Sequence, residues 1–180
     1  MEQETNPWQV TSRETAYDNN WIRVEHHEVI NPAGNPGIYG KVHFKNIAIG
    51  VVPVDADGYT WLVGQYRFTI DEYSWEIPEG GAPEGTLPLD SAKRELLEET
   101  GLVAETWEEI LKLHLSNSVS DEVAHVFVAR GLTQMEAAPE ETEQLQVKRI
   151  HLSEVFRMVD DGRITDALSV AALLKLKSTV

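Results

Sequence analysis

The sequence predicts an α+β fold, in which a mixed β-sheet is packed between helices as an α/β/α sandwich. Two observations support this class. Segments rich in β-branched and aromatic residues run up to residue 68 and are separated by turn clusters, of which 31–37 is the clearest. From Leu87 the apolar residues recur at helical spacing until Gly101, which suits a left-handed helix C-cap. Strands with helices inserted and appended are typical of this architecture.

The elements follow in order along the chain. Alternating apolar residues and turn signals predict strands within 8–30 and over 38–44, 47–54, 59–68, 107–115, 122–128 and 145–151. Helical spacing predicts one helix between the strands, from Leu87 to Gly101, and two C-terminal helices over 153–159 and 165–176.

The charge of the chain limits its partners. Thirty acidic and fifteen basic residues give a formal net charge of −15, which disfavours nonspecific binding to nucleic acid or to an anionic membrane. An anionic substrate would therefore need a local cation. The chain has no cysteine, which excludes disulfides and a cysteine nucleophile. The polar start lacks a signal-peptide pattern, and the apolar run at 47–54 is too short to cross a bilayer, so we expect a cytoplasmic protein.

Three carboxylates share one face of the predicted central helix. Glu95, Glu98 and Glu99 stand at i, i+3 and i+4, where like charges destabilise an isolated helix by about 0.2–0.5 kcal/mol per pair. A solvated acidic face is the plain alternative, but three glycines at 80–85 precede the helix and allow the backbone to approach a ligand. Converging carboxylate oxygens are ligands for Mg²⁺ or Mn²⁺. A P-loop is excluded, because 80–86 lacks the required lysine.

Residues 80–102 resemble the signature of the Nudix hydrolases. That signature reads Gly, five residues, Glu, seven residues, Arg-Glu, an aliphatic residue, any residue, Glu-Glu, any residue, Gly and an aliphatic residue. Gly80 opens the pattern, and the run from Arg94 to Leu102 completes it in register. Thr86 stands where the family has its first Glu, which braces the loop and the family's equivalent of Arg94. Either Glu84 or backbone carbonyls remain as alternative partners for Arg94.

The resemblance implies the Nudix fold and a metal-dependent pyrophosphohydrolase. It assigns metal ligation to Glu95, Glu98, Glu99 and the main-chain carbonyl of Glu79, with Mg²⁺ or Mn²⁺ as the cofactor, and it makes Glu98 a catalytic residue. Cations bound there would neutralise the charge that develops on a pyrophosphate and would acidify the attacking water.

The flanking segments resemble the branch of the family that hydrolyses ADP-ribose and nucleoside diphosphate sugars. They are 65–67, 75–81 and 161–167. This branch implies cleavage to a nucleoside monophosphate and a sugar phosphate. It also implies a homodimer that forms through the N-terminal strands, so we expect an N-terminal β extension over 1–44 and a Nudix hydrolase domain over 45–180.

The same branch places its catalytic base on an acidic loop before the last strand. In this chain the loop is 138–144, and aligning the strand that follows makes Glu141 the first candidate and Glu140 the second, with Glu143 also open. A carboxylate there would accept a proton from the attacking water. The alternative is an exposed acidic loop with no catalytic role.

Four further residues are candidates for substrate binding. Arg67 has the donor geometry for a phosphate, although an arginine at a strand end is often only a surface residue. Trp75 and Glu76 would line the base or sugar pocket, and Trp75 as plain core is the alternative. Glu122 follows a loop that covers the active site in relatives, so we expect it near a metal or the sugar.

Two other functions share these features. A nucleoside triphosphate pyrophosphatase would use the same signature. A noncatalytic nucleotide-sugar sensor would keep the fold without the chemistry, but such sensors usually carry a DNA-binding domain, and no basic helix-turn-helix segment is present in this sequence.

Overall fold

The computed structural model describes residues 5–83, 85–135 and 145–179. Their elements are β1 (Gln9–Asp18), β2 (Ile22–Ile30), β3 (Pro36–Phe44), β4 (Asn46–Pro53), β5 (Tyr59–Arg67), β6 (Glu72–Glu76), β7 (Glu79–Pro83), α1 (Pro88–Thr100), β8 (Leu102–His114), β9 (Val123–Gln134), β10 (Gln146–His151), α2 (Leu152–Asp160) and α3 (Ala167–Lys177). Among the described residues, every helix falls short of the length and apolar character needed to cross a membrane.

The chain forms two compact units. The first contains the chain up to Asn46 together with His114–Glu122, and the second contains Ile47–Leu113 and the chain from Val123 onward. The expected division between residues 44 and 45 lies two residues before this boundary. The sequence division assigned 114–122 to the second domain, whereas in the structure this segment packs with the first unit.

The first unit is an antiparallel sheet in the order β1-β2-β3. Asp121 attaches the segment 114–122 to β3. Its carboxylate accepts hydrogen bonds from Lys41 Nζ at 2.7 Å and from the Phe44 amide at 3.1 Å, and it lies 2.7 Å from His43 Nδ1. The Val42 amide also donates to the Val119 carbonyl at 2.8 Å. These polar contacts explain why a segment distant in sequence belongs to this unit.

The second unit contains a mixed sheet between helices, which confirms the predicted α/β/α class. Its described strands have the orders β10-β5-β6 and β7-β4-β9-β8, and β4 runs parallel to β9. Successive residues of β4 face opposite sides. Ile49 and Val51 join the core cluster that contains Ala92 and Leu96 of α1. On the other side, a Cβ on Gly50 would lie 3.1 Å from Leu168 Cδ2 of α3.

Helix α1 ends as the sequence predicts. Gly101 adopts a left-handed conformation with φ 72°, and its amide donates to the Leu97 carbonyl at 2.9 Å. The helix begins with Pro88, whose fixed φ suits the first turn. Ala92 and Leu96 are fully buried, so the opposite face of the helix is left for charged side chains.

The strands differ from the prediction in several places, among them the end of β9, which extends to Gln134 instead of residue 128. Strands β6 and β7 were not predicted, and β8 begins at Leu102 instead of residue 107. Strand β7 contains Gly80 and Gly81, which have low β propensity, and it forms because β4 is its neighbour in the sheet. Tertiary pairing has therefore overridden local preference.

Asp121 should contribute to stability in a pH-dependent way. Burial raises the pKa of Asp121, but hydrogen bonds with Lys41, His43 and the Phe44 amide outweigh it and lower the pKa from 3.8 to about 2. The carboxylate therefore stabilises the fold above about pH 4, and this contribution is lost as the pH falls toward 2. We expect Asp121→Asn to lower the free energy of unfolding at pH 7 by roughly 0.5–1 kcal/mol, since the side chain is partly solvated.

Denaturant titrations at pH 7 and pH 3 measure this effect, with Asp57→Asn as the control because the Asp57 side chain is 81% exposed. The stabilising role of the Asp121 carboxylate would be contradicted by an equal loss of unfolding free energy in the control. It would also be contradicted if the loss in Asp121→Asn were as large at pH 3 as at pH 7.

Candidate active site

Gly80 brings the loop before α1 into direct contact with the helix. A Cβ at this position would lie only 2.2 Å from Glu95 Cδ, a separation that no real pair of such atoms adopts. The Glu95 side chain therefore packs against bare backbone, and Glu95 is only 7% exposed. The glycine that opens the Nudix pattern is required here by close approach.

Arg94 connects the loop to the carboxylates of α1. Its Nη1 donates to Glu98 Oε2 at 2.6 Å, and its Nη2 donates to the Gly81 carbonyl at 2.9 Å and to Glu95. One guanidinium thus neutralises two of the three repelling glutamates and holds the loop beside them. Of the two alternatives for Arg94, the structure supports a backbone carbonyl, while Glu84 lies outside the described residues.

Thr86, the position that departs from the family pattern, braces the loop locally. Its hydroxyl donates to the Pro83 carbonyl at 2.6 Å and lies 3.4 Å from Ser91 Oγ. The turn before α1 is therefore closed without a glutamate at this position.

Glu99 makes a second connection between helix and loop. Its Oε2 accepts a hydrogen bond from the Glu79 amide at 3.0 Å. Glu99 is 3% exposed, whereas the Glu98 side chain is 29% exposed. The Glu79 backbone, whose carbonyl is the predicted further metal ligand, is thereby held next to the helix, and Glu98 is the glutamate of the three that faces solvent most.

A second acidic group lies on the other side of Glu79. Ligand oxygens of Glu76, Glu79 and Asp166 all lie within 4.8 Å of one another. Arg67 Nε donates to both oxygens of Glu76 at 3.0 Å, and Arg67 Nη2 bonds to Glu76 and to Glu79 Oε1. Asp166 is the N-cap of α3 and accepts from the Ser169 amide at 2.7 Å. One arginine therefore faces three carboxylates.

The electrostatics of this group favour a bound cation. Burial raises the pKa of Glu79 well above its usual value, the negative charges of Asp166 and Glu76 raise it further, and Arg67 offsets only part of the effect. Glu79 Oε2 is buried and has no hydrogen-bond partner among the described residues. Such an orphaned oxygen beside several hard carboxylate ligands fits a divalent cation.

The remaining predicted site residues are Trp75, Glu122 and the candidate bases. Trp75 lies on the face of β6 opposite to Glu76, where its ring approaches Gly64 and lies 3.9 Å from Lys148 Nζ. Glu122 belongs to the first unit, where its carbonyl accepts a bond from the Leu115 amide at 3.1 Å. The predicted roles of both residues in substrate binding stay predictions. The candidate bases Glu140, Glu141 and Glu143 lie outside the described residues.

Sequence reasoning missed two contributors to this site. The Glu79 side chain was overlooked because the family pattern uses only the carbonyl of that residue. Asp166 was noted only as part of a flanking segment. In the structure it is the N-cap of α3, where aspartate is a preferred residue type, whereas the sequence placed it inside the predicted helix 165–176. An N-cap signal would in any case not indicate that the cap lies beside two glutamates.

Comparison with known proteins identifies the class. The family model described as "NUDIX domain" matches residues 44–172, which is more than half of the chain. The chain therefore belongs to the Nudix family, and it is a Nudix hydrolase of divalent-metal-dependent type. A second model, "Nucleoside diphosphate sugar hydrolase N-terminal domain", matches residues 8–42.

Individual relatives agree with this class. The chain is 32% identical over 132 residues to the "Methanol dehydrogenase activator" of Bacillus methanolicus, covering 72% of this chain and 71% of that protein. It is 32% identical over 137 residues to the "ADP-ribose pyrophosphatase" of Bacillus subtilis (strain 168), covering 74% of each. A solved structure titled "Crystal structure of ADP compounds hydrolase" matches with a TM-score of 0.87 at 22% identity, over 99% of this chain and 96% of that one. This last similarity confirms the Nudix fold.

The contact between Gly80 and Glu95 gives a direct prediction. Gly80→Ala should displace the Glu95 carboxylate with little loss of stability, because the atoms that the added Cβ would meet are the far end of a flexible side chain. We expect hydrolysis to fall at least tenfold and the apparent Mg²⁺ requirement to rise, because Glu95 is moved from its place beside the loop. Activity against Mg²⁺ concentration and the free energy of unfolding measure the two effects.

Gly40→Ala is the matched control. Gly40 lies in β3, and nothing stands within 4 Å of a Cβ at that position. If Gly80→Ala kept the Mg²⁺ dependence of the control, the close approach would have no role in holding Glu95.

Proposed function

We propose that this Nudix hydrolase cleaves ADP-ribose or a nucleoside diphosphate sugar to a nucleoside monophosphate and a sugar phosphate, with Mg²⁺ or Mn²⁺. The observation that carries the proposal is the arrangement of the carboxylates of Glu95, Glu98 and Glu99 against the loop 79–81. The match of residues 8–42 to an N-terminal domain described for nucleoside diphosphate sugar hydrolases supports this substrate class. The relative named ADP-ribose pyrophosphatase supports it as well.

The metal would be held by Glu95, Glu98, Glu99 and the Glu79 carbonyl. When bound, a divalent cation supplies charge neutralisation at the pyrophosphate and makes a water easier to deprotonate. Overall, a water oxygen forms a bond to one phosphorus while the bond from that phosphorus to the bridging oxygen breaks. The departing phosphate keeps the electron pair of that bond.

Arg67 retains one donor group for a substrate phosphate. Its Nε and Nη2 bond to Glu76 and Glu79, and within the described chain Nη1 has no partner. The side chain is 35% exposed. The two glutamates fix the guanidinium plane, so a phosphate oxygen would meet a preoriented donor at little entropic cost.

The general base is proposed to be Glu141, with Glu140 as the alternative. A carboxylate at either position would take the proton of the attacking water while the scissile bond breaks. The proposal rests on the sequence position of the loop 138–144, immediately before the strand β10.

The substrate assignment is tested by a panel assay. ADP-ribose, GDP-mannose, UDP-glucose and deoxynucleoside triphosphates are each incubated with the protein and Mg²⁺, and the nucleoside monophosphate formed is measured by anion-exchange chromatography. We expect kcat/KM to be highest for ADP-ribose or one of the nucleotide sugars. Faster turnover of a triphosphate would assign the chain to the triphosphate pyrophosphatases, and no turnover of any substrate would favour a noncatalytic sensor.

A series of glutamate-to-glutamine changes tests the catalytic roles. Glu98→Gln and Glu141→Gln should each lower kcat by orders of magnitude while the fold is retained, because each removes a charge that acts in the transition state. Glu105→Gln, an exposed residue on β8, is the control and should behave as the unchanged protein. Near-normal turnover in Glu98→Gln would contradict the proposal that Glu98 is a metal ligand. Loss of activity in Glu140→Gln but not in Glu141→Gln would identify Glu140 as the general base.

We further propose a cytoplasmic homodimer that forms through the N-terminal sheet. All ten residues of β1 are exposed, and large apolar side chains on this unit are exposed as well, with Trp21 at 65% and Ile38 at 69%. An exposed edge strand with apolar side chains is a typical association surface.

Light scattering should give about twice the 20.2 kDa chain mass, and Trp21→Glu should lower the measured mass. A single-chain mass for the unchanged protein would contradict the dimer.

A further inference from the structure

The second unit contains a cavity that the hydrolytic site does not use. Its volume is about 450 Å³, and it lies between β8, β9 and the carboxyl-terminal end of α3, with Ile110, Val128 and Leu176 as its apolar lining. Small-molecule sites have volumes of about 300–1,000 Å³ and a mostly apolar lining with a few polar groups. The size and part of the lining of this cavity match that description.

The cavity is separate from the candidate active site. In the sheet order β7-β4-β9-β8, the loop of the Nudix pattern lies at the β7 edge and the cavity lies at the β8 edge. Helix α3 extends from Asp166, which is in the acidic group, to Lys175 and Leu176, which line the cavity. Eleven helical residues span about 16 Å. A single phosphate group is much smaller than this distance, so it cannot contact the acidic group and the cavity at the same time.

Two cations beside this cavity have no ion-pair partner in the part of the chain that the structure describes. Arg130 and Lys175 both line it, and neither forms a salt bridge with any residue of 5–83, 85–135 or 145–179. The nearby Lys177, on the same helix, pairs with Asp160 at 2.9 Å. Because neither side chain is engaged in an ion pair within the described residues, both can donate hydrogen bonds to an anion such as a phosphate.

The helix terminus at the cavity does not cancel this attraction. The end of a helix carries partial negative charge on its free carbonyls. Here the Lys175 carbonyl accepts from Ser178 Oγ at 2.7 Å, and the Leu176 carbonyl accepts from Thr179 Oγ1 at 2.9 Å. These bonds satisfy carbonyls that would otherwise repel an anion.

The cavity also has hydrogen-bond acceptors. Glu108 and Glu109 line it, and Glu109 lies 2.8 Å from His125 Nδ1. Neither glutamate bonds to Arg130 or Lys175 within the described residues. Carboxylates of this kind accept hydrogen bonds from hydroxyl groups, so the site presents donors for a phosphate and acceptors for a polyhydroxylated group.

We propose that this cavity binds a phosphorylated sugar. Arg130 and Lys175 donate to the phosphate, Glu108 accepts from sugar hydroxyls, and Ile110, Val128 and Leu176 pack against the apolar face of the ring. The proposal concerns binding alone and does not depend on which substrate the active site hydrolyses.

Calorimetric titration of the full chain with ribose 5-phosphate tests it, first with Mg²⁺ and then with EDTA. The acidic active site needs a cation to hold a phosphate, whereas the cavity does not, so we expect binding to persist in EDTA. The double variant Arg130→Gln/Lys175→Gln should bind at least tenfold more weakly, while Lys112→Gln, an exposed lysine of β8 outside the cavity, should bind as the unchanged protein. No binding in EDTA, or equal binding by the double variant, overturns the proposal.

Two comparisons test whether the cavity recognises the sugar as well as the phosphate. One uses inorganic phosphate as the ligand, and the other uses the variant Glu108→Ala. Ribose 5-phosphate should bind at least tenfold more tightly than inorganic phosphate, and Glu108→Ala should reduce that ratio while leaving phosphate binding unchanged or stronger. Equal affinities for the two ligands in the unchanged protein would mean that the cavity recognises phosphate only, which overturns the assignment. Because turnover is not measured, failure of the proposed hydrolytic function would not affect either result.

Discussion

The candidate site depends on the hydrogen bonds that hold three mutually repelling carboxylates next to a loop, two of them through Arg94 and the third through the Glu79 amide. Glu95, Glu98 and Glu99 share one helix face, and without compensation their charges would weaken the helix and drive the side chains apart. Arg94 bonds to two of them and to the Gly81 carbonyl. The same side chain therefore stabilises the helix and fixes the loop, which explains how a strongly acidic group can be organised before a cation binds.

Arg67 repeats this arrangement on the neighbouring strands. It bonds to Glu76 and Glu79, and Glu79 is connected in turn to Glu99 through its amide. Two arginines thus flank the loop 79–81, and each neutralises part of the acidic charge around it. Much acidic charge still remains uncompensated, and the raised pKa of Glu79, caused by burial and by its acidic neighbours, reflects this excess. A site with this balance favours a cation and disfavours an anion unless the cation is present.

The sequence predicted the fold class, the helix α1 with its Gly101 cap and the shared face of the three glutamates, because these follow from local periodicity and from a dense motif. It did not predict β7, since Gly80 and Gly81 have low strand propensity and only pairing with β4 makes them a strand. It also did not place Asp166 beside Glu76 and Glu79, because that contact joins the start of α3 to strands about 90 residues earlier. The sequence did not decide which group Arg94 bonds to, because Thr86 replaces the glutamate of the family pattern. The geometry of the loop makes the Gly81 carbonyl its backbone partner.

We expect the cation to bind between α1 and the loop 79–81, with Glu95, Glu98, Glu99 and the Glu79 carbonyl as ligands. Anomalous X-ray diffraction from crystals grown with Mn²⁺ and a nonhydrolysable ADP-ribose analogue locates the bound ion. We expect an anomalous peak within coordination distance of these ligands, about 2.0–2.3 Å for hard-oxygen donors. A peak found only among Glu76, Glu79 and Asp166, or no peak at α1, would contradict it.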